Sequence, residues 1–170
     1  VQSYLGLIQE IGTISDSGLD ETQRLTQVIE EITKLEEIDA CCILAENEKV
    51  GSLQFLQSFQ SGFPLIASPN LTQLDDPEYY ETVTATRKVK LVETISATVD
   101  MSRIDRTLAE MVGEVETILS VPVRVQNGLK AELVVFSKTK GSLDQNAIPI
   151  WEAIGEIIST GQTPKHLSNS

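Results

Sequence analysis

The chain has 170 residues, of which 41% are hydrophobic and 22% are charged, and its formal net charge is -12. This length fits one domain of about 100–200 residues, and the ordinary composition argues against disorder throughout. The acidic excess repels phosphate backbones, so we expect no nucleic-acid binding. No apolar run approaches the roughly 20 residues that a membrane span needs. We therefore expect a cytoplasmic protein with no membrane partner, although a start at Val1 rather than at a methionine leaves open that the chain is a fragment.

The two cysteines, Cys41 and Cys42, are adjacent in an apolar run that predicts a strand. Neighbouring strand side chains point to opposite faces and a bridge between them would strain the peptide, so we expect two buried thiols and no disulfide. A redox role for the pair is the alternative that stays open. Two cysteines are too few for the usual iron–sulfur ligand set, and we expect no metal site.

Helical spacing of apolar residues predicts the first two elements. Between Tyr4 and Ile14 the apolar side chains recur three and four positions apart, and a loop with Gly18 follows. Asp20 is a candidate N-cap for a second, clearer amphipathic helix that continues through Leu35.

Two strands and a loop come next. The run 40–45 has the length and composition of a strand, and 51–61 predicts its hairpin partner, with Phe55 and Phe59 on one face by alternation. The stretch 62–76 is typical of a loop because it is rich in proline, glycine, asparagine and aspartate.

The middle of the chain gives weaker signals. Asp76-Pro77 predicts the start of a helix through residue 86, because proline is tolerated at the first helical position. The basic run 87–90 is short, and such runs usually form solvated faces. Residues 88–92 predict a short strand, and 95–115 is ambiguous between helix and irregular loop.

The last third predicts a hairpin and a closing helix. The strand 118–125 is interrupted only by a proline, and Asn127-Gly128 is a strong hairpin signal before the return strand 131–137. Asp144 then caps an amphipathic helix that ends near Gly161.

This last third resembles the GAF domain family. The segment Ser120-Val121-Pro122-Val123 matches the family's serine–hydrophobic–proline–hydrophobic strand, and a glycine turn, a return strand, a polar loop and a closing helix follow it. The resemblance covers residues 5–160. It implies an α+β fold, with an antiparallel sheet, terminal helices packed on one face and a mid-chain helix-and-loop roof on the other. We expect one GAF-like domain at 1–161 and a polar tail at 162–170.

The resemblance implies a sensory or regulatory module of a cytoplasmic signalling protein. Such a module binds a small ligand, dimerises through its terminal helices, or does both. A ligand-free dimerisation or protein-interaction module is the alternative. The sole histidine, His166, lies in the tail, so nucleophilic catalysis lacks a positioned base and we expect no enzyme.

The family's known cofactors find no matching motif. Covalent bilin attachment uses a cysteine followed by a histidine, and no such pair exists here. Haem needs an axial ligand, for which His166 is poorly placed. Members that reduce methionine sulfoxide use several dispersed cysteines, a spacing that Cys41 and Cys42 do not reproduce. Bilin and haem are thus disfavoured, and the cofactor is unknown.

Two sets of candidate site residues follow from position in the pattern. An aromatic wall with hydroxyls and one guanidinium suits a small, partly polar ligand, and the alternative is that these side chains complete the core. The ligand-pocket candidates are Phe55, Phe59, Tyr79, Tyr80, Thr84, Ser120, Arg124 and Phe136.

The second set lies on the terminal helices. These side chains either fill a homodimer seam or pack against the chain's own sheet. The seam candidates are Leu7, Ile11, Ile154 and Ile158.

Overall fold

The computed structural model describes residues 3–47, 52–61, 88–98, 101, 103–125 and 128–161. The predicted helix at 76–86 and the tail at 162–170 lie outside these residues. Within the described part, every helix is too short or too polar to cross a membrane.

The first two helices begin where the sequence predicts. Helix α1 spans Tyr4–Asp16, and helix α2 spans Glu21–Ile32. The Asp20 side chain accepts a hydrogen bond from the backbone N–H of Gln23 at 2.8 Å, which confirms the predicted cap.

Two further helices lie in the described residues of the second half of the chain. Helix α3 spans Arg103–Val112, so the ambiguous stretch is largely helical. Helix α4 spans Ile148–Thr160 after a 3-10 turn that Asp144 caps, and it ends at Gly161, whose φ of 72° favours glycine.

Among the described residues, five strands form one antiparallel sheet in the order β2-β1-β5-β4-β3. The strand bounds are β1 Ala40–Asn47, β2 Ser52–Ser61, β3 Lys90–Val92, β4 Thr117–Val125 and β5 Leu129–Ser137. This sheet, with its helices, confirms the predicted α+β class.

The proline in β4 costs the sheet no backbone bond to β5. The backbone N–H of Arg124 points away from β5, because it donates to the Ser159 hydroxyl at 2.8 Å. Alternate residues of a strand direct their N–H groups to the same side, so the nitrogen of Pro122 also lies on that edge. Strand β4 therefore tolerates a residue without an N–H.

The sheet has two covered faces, and Cys41 and Cys42 lie on opposite ones. The face that carries Cys41, here the terminal-helix face, packs against α1, α2 and α4 in the larger apolar core. The face that carries Cys42, Ser120 and Val134, here the α3 face, packs against α3. Both cysteines are free and buried, as predicted.

The candidate seam residues pack inside the chain. The side chains concerned are all 0% exposed and belong to the core on the terminal-helix face. Of the two alternatives, the structure shows these four side chains packed against the chain's own sheet. Their burial leaves no exposed surface from which they could form a homodimer seam. The apolar stripes of α1 and α4, together with that of α2, cover this face of the sheet and shield it from water. The four are Leu7, Ile11, Ile154 and Ile158.

Candidate functional site

Polar side chains meet at the centre of the α3 face. Four strands place Cys42, Val134, Ser120 and Lys90 in register across the sheet, in that order. Directly paired residues share a face of an antiparallel sheet. The row therefore brings a thiol, a hydroxyl and an ammonium to one side, beneath α3.

Helix α3 brings a carboxylate to the end of this row. The Nζ atom of Lys90 donates to Oδ2 of Asp105 at 2.5 Å. Asp105, Leu108 and Val112 are three and four positions apart, so they share the helix face that packs on the sheet. Asp105 is only 1% exposed and lies on an otherwise apolar side of the helix. The ammonium of Lys90 offsets the charge of this buried carboxylate.

Ser120 is also 1% exposed, and its hydroxyl has no hydrogen-bond partner among the residues that the structure describes. A buried polar group without a partner costs about 1–3 kcal/mol. Native proteins usually satisfy such groups, so an isolated one calls for a further partner such as a water or a ligand.

A second buried carboxylate lies one step along the sheet. Glu132 on β5 is 1% exposed and pairs with Leu44 on one side and Pro122 on the other. Burial raises the pKa of the Cys42 thiol most, and the charges of Cys41 and Glu132 raise it further. Burial likewise raises the pKa of Cys41. Both thiols are therefore protonated at neutral pH.

We name the polar cluster as Lys90, Asp105, Ser120 and Glu132. It offers two buried carboxylates, a buried hydroxyl and the ammonium of Lys90, whose side chain is 37% exposed. Hydrogen bonds of the buried groups are strong because the local dielectric is low. Such a set can orient a small polar molecule. It does not supply a thiolate, because the neighbouring Cys42 keeps its proton.

The predicted pocket residues divide into three groups. Ser120 and Phe136 lie on the α3 face, with Phe136 in its apolar core. Arg124 is exposed, and its guanidinium donates to the carbonyl of Gly128 at 2.8 Å. It therefore supports the hairpin end and lies apart from the polar cluster.

Five predicted residues cannot be placed as side chains. Phe55 and Phe59 lie on β2, where the backbone alone is described, and Phe55 pairs with Leu44. Tyr79, Tyr80 and Thr84 lie outside the described residues.

The sequence analysis missed Lys90, Asp105 and Glu132. Glu132 did carry a signal, since it shares strand parity with the apolar Val134 and Phe136, which indicates a covered face. Lys90 and Asp105 gave none, because their meeting depends on the packing of α3 on the sheet.

The fold is found in solved structures, although no protein-family model matches the sequence. No curated protein matches it either. The phycoerythrobilin-bound GAF domain from a cyanobacterial phytochrome is 14% identical, with a TM-score of 0.71 over 95% of this chain and 94% of that one. The GAF domain of an Acinetobacter phosphoenolpyruvate-protein phosphotransferase is also 14% identical, with a TM-score of 0.65 over 95% and 93%.

The comparisons also correct one expectation. The free methionine-R-sulfoxide reductase of Neisseria meningitidis, solved with its substrate, is 12% identical, with a TM-score of 0.71 over 93% of this chain and 87% of that one. Because an enzyme shares this fold, the expectation that the chain is not an enzyme has no support. The argument from the position of His166 excluded only catalysis that uses a histidine base. Identities this low show the fold alone.

Proposed function

We propose that this chain, which has a GAF-like fold, is a sensory or regulatory domain of a cytoplasmic signalling protein and binds a small polar ligand at the polar cluster. The observation that carries the proposal is the buried Ser120 hydroxyl, which meets no partner in the described part of the chain. A ligand that hydrogen-bonds to it would offset the cost of burying it.

The neighbours of Ser120 favour a ligand that is polar. Lys90 pairs with Ser120 across β3 and β4, and the buried Asp105 holds the Lys90 ammonium. Glu132 lies diagonally across the sheet from Ser120, at a separation of about 7–8 Å for such pairs. A face with only a packing role would favour apolar residues at these positions, because buried polar groups need dedicated partners.

The experiment identifies the ligand and then locates it. The purified protein is denatured, the released small molecules are identified by mass spectrometry, and the candidate is titrated back by calorimetry. We expect Ser120→Ala to weaken binding by about three- to tenfold, as loss of one hydrogen bond does.

The matched control is Ser15→Ala. Ser15 on α1 has another buried hydroxyl without a partner among the described residues, and α1 packs on the terminal-helix face. We expect Ser15→Ala to bind as the wild type does. Equal binding by Ser120→Ala and the wild type would place the ligand elsewhere.

A reductase is a second candidate because the Neisseria meningitidis free methionine-R-sulfoxide reductase shares this fold. Cys42 on the α3 face is the thiol to test, although burial raises its pKa and so disfavours the thiolate. Reduction of free methionine-R-sulfoxide would take two electrons from a thiol reductant and release the sulfoxide oxygen as water. The assay supplies dithiothreitol as that reductant and follows the methionine formed. Activity that Cys42→Ala abolishes and Cys41→Ala retains would support this candidate, because the two thiols lie on opposite faces.

A ligand-free interaction module, including a homodimer, is a third candidate. Leu5 on α1 favours it, because its side chain is 58% exposed. The Leu5→Glu variant and the wild type would then differ in subunit count by sedimentation. The same count in both would remove this support.

A further inference from the structure

A groove runs between α4 and the end of β4, away from the polar cluster. Its volume is about 640 Å³, within the range of about 300–1,000 Å³ that small-molecule sites occupy. None of the four polar-cluster residues lines it. One side of the groove is α4 from Glu152 to Ser159, and the other is the sheet edge around Lys88 and Arg124.

The two walls of the groove carry opposite charges. Glu152 and Glu156 are four positions apart on the exposed side of α4, so they form one acidic wall. Lys88 and Arg124 are exposed on the sheet side and form a basic wall. The ion pairs among the described residues all lie elsewhere, so none joins these walls.

The floor of the groove is closed and apolar. A Cβ atom added to Gly155 would lie 2.7 Å from Cγ1 of Val121 and 3.3 Å from the carbonyl oxygen of Pro122. Helix α4 therefore rests directly on β4, and Val89 continues the apolar surface.

The sheet edge here does not accept another strand. Pro122 has no N–H to donate, and the N–H of Arg124 already donates to the Ser159 hydroxyl at 2.8 Å. An added strand needs successive free backbone groups. The chemistry of the groove thus fits a small molecule better than an extended peptide.

We propose that this groove binds a zwitterion of about dipeptide size. Its carboxylate lies against Lys88 and Arg124, its ammonium lies against Glu152 and Glu156, and its apolar middle covers Val121. The groove lies at the edge of β4 and shares no lining residue with the polar cluster, so the two sites can be tested separately.

The test uses alanylalanine as the probe and the full chain labelled with ¹⁵N. We expect saturable shifts of the amide resonances of Gly155 and Ser159, and weaker binding at higher salt. N-acetyl-alanylalanine amide, which lacks both charges, should not produce them. Lys88→Gln and Glu156→Gln should each weaken binding by about two- to fivefold, the size of an exposed ion pair.

The control variants Lys138→Gln and Glu30→Gln change the same charges at exposed positions away from the groove. They should bind alanylalanine as the wild type does. The proposal is overturned by an absence of saturable shifts, by equal binding of the uncharged analogue, or by control variants that weaken binding as much as the groove variants.

Discussion

The ammonium of Lys90 and the carboxylate of Asp105 lie 2.5 Å apart and join the edge strand β3 to helix α3. Strand β3 has only three residues, and it contacts the sheet through β4 alone. The ion pair therefore supplements a short ladder. It also fixes the position of α3 over the polar cluster.

We expect Lys90→Gln to lower the free energy of unfolding by about 1–3 kcal/mol. The substitution leaves the carboxylate of Asp105 at 1% exposure without its cation, and such a charge is costly to bury. Urea unfolding followed by circular dichroism measures the change.

The same substitution in an exposed pair provides the control. Lys34 is 60% exposed where it meets Glu31, so Lys34→Gln should leave the stability nearly unchanged. If Lys34→Gln and Lys90→Gln lowered the free energy of unfolding equally, the burial of Asp105 would not be the cause of the loss.

Gly155 tests the contact between α4 and β4. Alanine is the better helix former by about 1 kcal/mol, but its Cβ atom would lie 2.7 Å from Cγ1 of Val121. We expect the clash to dominate and Gly155→Ala to destabilise the fold by about 1–3 kcal/mol. Unfolding in urea measures this value.

A double variant distinguishes the clash from other effects. Val121→Ala removes the atom that the new Cβ would meet, so adding it to Gly155→Ala should cost less than Val121→Ala costs alone. Strict additivity of the two changes would contradict the proposed clash.

Tyr4 and Trp151 join the first helix to the last. Their rings meet edge to face with centroids 5.9 Å apart, and the indole N–H donates to the Tyr4 hydroxyl at 3.3 Å. Tyr4→Phe should destabilise the protein by about 1 kcal/mol, because the buried indole N–H loses its acceptor. Trp151 is the sole tryptophan, so its fluorescence should also shift. An unchanged emission maximum and stability would mean that this bond contributes nothing.

The buried thiols predict a loss of stability at alkaline pH. Burial raises the pKa of Cys41 and of Cys42 in the folded state. Above the ordinary thiol pKa of about 8.5 the unfolded chain loses protons that the folded chain keeps. Stability is therefore fully present below that pH and falls above it, by about 1.4 kcal/mol per pH unit for each thiol.

The measurement is the free energy of unfolding between pH 8 and 10 with a reductant present. A variant with both cysteines changed to alanine should be less stable at pH 7, because it leaves small cavities. Between pH 8 and 10, the free energy of unfolding of this variant should nevertheless fall less steeply with pH than that of the wild type. Parallel slopes in the two proteins would contradict protonated, buried thiols.

Local patterns predicted the elements well. Asp20 caps its helix as the sequence predicts. Strand alternation correctly predicted that Cys41 and Cys42 lie on opposite faces, and Asn127-Gly128 correctly predicted the hairpin of β4 and β5. These features depend on residues close in sequence, where backbone preference and side-chain period act directly.

The site depended on distant residues and was predicted only in part. Ser120 was assigned to the pocket from its position in the pattern. Lys90 reaches the same face through sheet register, and Asp105 reaches Lys90 through helix packing, which no local pattern encodes. The short basic run predicted a solvated face, whereas Lys90 turns to a buried carboxylate. An apolar stripe also does not specify what covers it, so Ile154 could equally have faced a partner or the sheet.

The central claim is that the chain holds a small polar molecule at the polar cluster. Native mass spectrometry of the freshly purified protein tests it most directly, because it reads subunit count and bound mass together. We predict a discrete small mass on each wild-type chain and its depletion in Ser120→Ala, with Ser15→Ala unchanged. The bare polypeptide mass in every preparation, with no small molecule released on denaturation, would contradict the claim.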